Sequence, residues 1–132
     1  MIENAKLDHI GLATSGAKEA AEWYLNVLKF HLKGKFVNCN NGMDVYFVAN
    51  EDESVVYEIY TEKDLAPEVR GKIDHISFVS EDIEKDYAFA VAQGYEICTD
   101  GIEGIASFWE SGIRYFKLKT ASGEEVEFCQ RL

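Results

Sequence analysis

The sequence predicts an α+β fold of two βαβββ modules, 1–66 and 67–132, in one domain. Three observations carry this. The stretch "LDHIGL" at 7–12 returns as "IDHISF" at 73–78; each copy runs directly into an amphipathic helical pattern; and each helix is followed by short runs alternating in period two. A unit this short cannot bury its apolar faces alone, so the modules are expected to pair into a curved mixed sheet with the helices on its outer face.

The first strand is expected at about 6–13. "TSGAKEAAEWYLNVLK" (14–29) reads as a helix that Thr14 or Ser15 can cap, with Ala20, Tyr24, Val27 and Leu28 on one face. Strands follow near 33–38, 43–50 and 54–60, separated by the turn-forming "NCNNG" and "NEDE". After a connector, "TEKDLAPEVRGK" (61–72), the order begins again with a strand at 73–79. A helix over 82–93 is lined by Ile83, Tyr87, Ala90 and Val91, and Gly94 is placed to end it. Strands near 95–99, 105–110, 113–119 and 124–130 close the chain, with turns at "SG" (111–112) and "ASG" (121–123).

Composition narrows the function. The chain of 132 residues is 47% apolar with 17 aromatics, enough for a packed core. Its formal charge of −11 and the lack of a Lys/Arg cluster argue against nucleic acid and anionic membrane as partners. The N-terminus shows no basic segment followed by an apolar one, and no apolar run reaches the ~20 residues that span a bilayer; a cytoplasmic protein is expected. Cys39, Cys98 and Cys129 are odd in number, widely spaced and without a C-x-x-C pair, so they read as reduced, partly buried thiols.

The repeat carries the chemistry. The closing strands "VVYEIY" (55–60) and "EVEFCQ" (125–130) each hold one acid in an apolar run, Glu58 and Glu127. Sixty-six positions separate His9 from His75, and 69 separate Glu58 from Glu127. In strand parity Ile10 and Leu12 oppose His9, Ile76 and Phe78 oppose His75, Tyr57 and Ile59 oppose Glu58, and Val126 and Phe128 oppose Glu127. If the apolar side packs on the helices, all four polar residues lie on the other side of the sheet. Two imidazoles and two carboxylates converging there suit one divalent ion, whether zinc, nickel, cobalt, manganese or iron.

Taken in order, "LDHIGLAT", "WYLNVLKF" (23–30), "VVYEIY", "IDHISFVSEDIEKDYAFAVAQGYE" (73–96) and "ASGEEVEFCQ" (121–130) resemble the glyoxalase/bleomycin-resistance/dioxygenase group, the vicinal oxygen chelate superfamily. The likeness runs from Leu7 to Gln130. Within that group, glyoxalase I-like proteins use four ligand positions (His or Gln, then Glu, His and Glu), which His9, Glu58, His75 and Glu127 match. Extradiol dioxygenases and fosfomycin-resistance enzymes leave the Glu58 position unused, and methylmalonyl-CoA epimerases carry Gln there. This chain departs from the group's helix pattern in having Lys29 where a glycine is common.

The resemblance implies a metal-dependent lyase or isomerase of the lactoylglutathione lyase type. It would move a proton on a small α-hydroxy carbonyl or hemithioacetal through an enediolate that the metal stabilises. Glu127 would be the base and Glu58 its counterpart, with His9 and His75 as neutral ligands. It implies a homodimer as well. A methylmalonyl-CoA epimerase-like enzyme and a non-catalytic antibiotic-binding protein are the competing readings. Arg70 and Arg114 are either holders of a thiol's carboxylate or surface ion-pair partners. His31 has no counterpart in the second half and reads as a structural or surface residue. Trp109 is either a pocket wall or a packing residue, and Asp8 and Asp74 are strand-start solvent contacts or groups supporting the histidines.

Overall fold

The computed structural model describes residues 7–65, 71 and 73–132. The chain divides into two compact units, Met1–Pro67 and Glu68–Leu132. The element order is β1 (Ile10–Thr14), α1 (Ala17–Asn26), β2 (His31–Val37), β3 (Asp44–Ala49) and β4 (Val56–Thr61). The second unit repeats it as β5 (His75–Val79), α2 (Ile83–Ala92), β6 (Glu103–Ile105), β7 (Ile113–Lys119) and β8 (Glu125–Arg131). Each module is thus βαβββ, with a four-stranded mixed sheet ordered β1-β4-β3-β2 in the first and β5-β8-β7-β6 in the second. In both, the first and last strands run parallel at one side of the sheet: Gly11 pairs Glu58 and Ser77 pairs Glu127.

Parity places each helix on the apolar face. In the first module Tyr24 of α1 is fully buried and stacks on Tyr57 of β4, ring centroids 4.8 Å apart, with Phe30 at 5.7 Å; Ile59 and Val48 complete the layer. In the second, Tyr87 meets Phe116 edge-on and Phe116 stacks on Phe128 at 5.4 Å, over buried Leu118 and Val126. Burying such rings supplies most of the packing energy in small modules.

Several boundaries differ from the sequence reading. The N-cap of α1 is Gly16. Thr14 Oγ1 accepts a hydrogen bond from the Gly16 N–H, and the first helical N–H, that of Ala17, goes to Thr61 Oγ1 on β4. Capping of α1 is therefore partly a tertiary contact. Val27 and Leu28 lie just past the helix and are half-buried, while Val91 of α2 is exposed. Asp82 caps α2 by accepting from the Lys85 N–H, and Gly94, at φ +72°, ends it with its N–H on the Val91 carbonyl.

The strand expected at 95–99 is a single bridge, Ile97 to Leu118. The ladder stops because the Lys117 N–H turns to the side chain of Thr99. The strand expected at 105–110 is Glu103–Ile105 only. A tight turn follows, in which the Gly112 N–H reaches the Phe108 carbonyl at 2.9 Å. Gly112 has φ +98°, and a Cβ there would stand 3.2 Å from Ala106 Cα, so this turn requires glycine.

Candidate functional site

In the first module His9 precedes β1, and its ring faces β4 on the side away from α1. Its Nδ1 lies 2.6 Å from Asp8 Oδ2, and its Nε2 lies 3.9 Å from Glu58 Oε2. The ring also meets Phe47 edge-on at 5.6 Å. In the second module His75 opens β5 with the same geometry: Nδ1 2.7 Å from Asp74 Oδ2, Nε2 3.5 Å from Glu127 Oε2. Asp8 and Asp74 thus support the histidines. An ionised carboxylate can only accept, so each takes a hydrogen bond from the Nδ1–H and holds the ring with Nε2 turned toward the glutamate. The His9 bond holds the Asp8 carboxyl below its usual range.

The modules differ in detail. Glu127 is 9% exposed, and its Oε1 accepts a 2.8 Å hydrogen bond from Ser77 Oγ, which also lies 3.2 Å from Cys129 Sγ. The position equivalent to Ser77 is Gly11, which has no side chain to offer Glu58. Across the sheet, Glu58 pairs Phe47 whereas Glu127 pairs Lys117, whose Nζ lies 3.7 Å from both Asp74 Oδ2 and Glu125 Oε2. Burial, then Glu103 and Glu127, push the nearby Tyr115 hydroxyl up, so it stays protonated at neutral pH.

Each module therefore contributes one imidazole–carboxylate pair. Two donors about 2.1 Å from a shared ion stand roughly 3.0–3.4 Å apart at octahedral to tetrahedral angles. The second pair, at 3.5 Å, is near that spacing and the first, at 3.9 Å, is wider; each pair offers two donors. Among the described residues no group of three or more His, Cys, Asp or Glu side chains that could hold an ion is assembled.

The remaining candidates fall elsewhere. Arg114 pairs with Glu84 of α2, on the helix side of the sheet, and Arg70 lies outside the described residues. His31 stands 3.5 Å from Glu53, in a surface cluster with Lys33. Cys39 and Cys98 are exposed and Cys129 half-buried, all as free thiols; partial desolvation of its sulfur, then Glu125, raise the Cys98 thiol. Trp109 is exposed and lines, with Phe108, a cavity of about 810 Å³ in the second module that reaches Ser77, Glu127 and Cys129. Sequence reasoning singled out neither Ser77 nor Arg131 of this cavity. Their signal was parity: Ser77 follows His75 by two and Arg131 follows Glu127 by four, which puts them on the same strand faces.

The family model of the Glyoxalase/Bleomycin resistance protein/Dioxygenase superfamily matches residues 6–128, and the chain belongs to that superfamily. It is 27% identical over 128 residues to the uncharacterized protein YwbC of Bacillus subtilis (strain 168), covering 96% of this chain and 98% of that one. Its fold is similar to the crystal structure of a glyoxalase family protein from Enterococcus faecalis, at TM-score 0.74 and 16% identity, covering 96% of this chain and 97% of that one. It is also similar to the fosfomycin resistance protein FosX from Listeria monocytogenes, solved with Mn(II) and sulfate, at TM-score 0.67 and 16% identity, covering 100% and 95%. At such identities these structures establish the shared fold. Among the described residues no helix is long and apolar enough to cross a membrane.

Proposed function

We propose that the chain is a metal-dependent, glyoxalase I-like lyase or isomerase acting on a small α-hydroxy carbonyl or hemithioacetal. His9, Glu58, His75 and Glu127 would hold one divalent ion, as a homodimer or within one chain. The observation that supports this reading best is the duplicated Asp–His–Glu arrangement, in which each imidazole is anchored at Nδ1 and turns Nε2 toward a carboxylate. A surface histidine needs no such orientation; a ligating one does.

When bound, the ion supplies Lewis-acid stabilisation of charge on adjacent substrate oxygens. The chain's residues do the rest. His9 and His75 stay neutral and fixed by Asp8 and Asp74. Glu127, whose Oε1 is held by Ser77, would take a proton from one substrate carbon and return it to the neighbouring carbon, with Glu58 as its counterpart.

Elemental analysis and calorimetric metal titration test the ligand set. One equivalent of divalent ion should bind, and His9→Ala or His75→Ala should lose it. A screen of the loaded protein should then show turnover of methylglyoxal–thiol adducts. Turnover of acyl-CoA epimers alone would replace the lyase reading with an epimerase, and absence of any metal binding would overturn the reading altogether.

A further inference from the structure

Glu127, Cys129 and Arg131 occupy alternate positions of β8, so they project from one face at intervals of about 6.6 Å, and roughly 13 Å of strand separates the first from the last. The 810 Å³ cavity lies along this ruler. Its near end is the Glu127 carboxylate. Its far end is the Arg131 guanidinium, which lies 3.6 Å over the Trp109 ring.

The wall between is apolar. Val79 is 84% exposed, Phe108 50% and Trp109 62%, and Ile113 stands beside them. Four large apolar side chains grouped around one hollow are unusual on a soluble domain and mark a ligand surface. Trp109 is held out by a left-handed backbone at φ +55°, a conformation that bulky residues seldom adopt, in the turn that Gly112 closes. Neither acid lining the cavity, Glu81 or Glu127, comes within ion-pair distance of Arg131 among the described residues. Stacking fixes the guanidinium plane while leaving its N–H fork open to a carboxylate.

We infer that this cavity selects a substrate with an apolar, ring-sized body ending in a carboxylate. The carboxylate sits on Arg131, the body lies against Phe108 and Trp109, and the reacting oxygens lie near Glu127. Which end lies where rests on the proposed function; the preference for an apolar carboxylate does not.

Calorimetry separates the two. On protein loaded with one equivalent of manganese(II), acetohydroxamate, benzohydroxamate and 4-(carboxymethyl)benzohydroxamate present the same chelating pair of oxygens with a growing tail. The ring should tighten binding about tenfold over the methyl group, and the carboxylate about tenfold again. Arg131→Gln should erase only the second gain, and Trp109→Ala both. Both side chains are at the surface, so unchanged circular dichroism is expected for the variants. A ring that adds nothing, or a carboxylate gain that survives Arg131→Gln, overturns the inference. If no hydroxamate binds the wild type, the metal reading fails by itself, and 4-phenylbutyrate on metal-free protein decides the cavity. Binding that Arg131→Gln abolishes sustains it, and no binding overturns it.

Discussion

Ser77 Oγ donates a 2.8 Å hydrogen bond to Glu127 Oε1, while the matching residue beside Glu58 is Gly11. The repeat is therefore symmetric in its imidazole–carboxylate pairs and asymmetric in how firmly the carboxylates are held. Glu127 has one oxygen committed and one presented. Ser77→Ala frees the committed oxygen and lets the carboxylate swing. Loss of such a supporting bond costs roughly tenfold in metal affinity, which titration calorimetry would read directly. Unchanged affinity would mean that Ser77 only fills space.

Asp74 lies 2.7 Å from His75 Nδ1 and is itself braced by Lys117. Asp74→Ala should weaken divalent-ion binding by about 10- to 100-fold while leaving the β5–β8 ladder intact. Asp8→Ala should act in the same direction in the first module. Metal titration followed by amide-exchange protection of β5 distinguishes loss of orientation from loss of fold.

Much of this was legible in the sequence. The "DH" dipeptide in both repeats, and one glutamate in each closing strand, fixed module order and face by parity alone. What stayed hidden depends on partners far apart in sequence. Thr61 caps α1 from 44 positions away, and Thr99 halts a ladder by accepting from Lys117. Of the two readings open for Asp8 and Asp74, support of the histidines is the one observed: both precede their strands, and their carboxylates return to the adjacent rings. The first helix cap and the strand near 97 gave way to such distant hydrogen bonds, whereas the strand near 108 is cut short by a local turn in which the Gly112 N–H reaches the Phe108 carbonyl.

Glu127→Gln tests the base. The amide matches the carboxylate in volume and can still accept from Ser77, so the melting temperature should change by no more than a few degrees. Turnover should fall by about 10² to 10⁴, the range for loss of a general base. Full activity on every hydroxy-carbonyl substrate tested would transfer the role to Glu58.

Tyr24 tests the first module's core. It is fully buried between Phe30 and Tyr57. Tyr24→Ala leaves a ring-sized void beside Phe30 and Tyr57, at a cost of about 3–5 kcal/mol. Urea unfolding should show the midpoint drop with little change in slope. A loss below about 1 kcal/mol would mean that α1 settles into the gap.

The surface cluster around Glu53 makes a prediction in pH. Lys33 Nζ lies 2.7 Å from Glu53 Oε2, and His31 Nε2 lies 3.5 Å from Oε1. Chiefly through the Lys33 hydrogen bond, and then its charge and the His31 contact, the Glu53 carboxyl is held below the ordinary 4.5; Glu53 in turn raises Lys33 above 10.5. A depressed acid contributes stability above its unfolded value and loses it as pH falls through the folded one. A raised base contributes below its unfolded value and loses it as pH rises through the folded one. The pair therefore acts between about pH 4.5 and 10.5 and fades outside that window. Both groups are solvent-exposed, so the effect on unfolding should be small and screened by salt. The titration itself is the better readout. By carboxyl-carbon NMR, Lys33→Ala should move Glu53 most of the way back toward 4.5, and adding His31→Ala should complete the shift. A Glu53 titration indifferent to both substitutions would mean that the cluster does not form in solution.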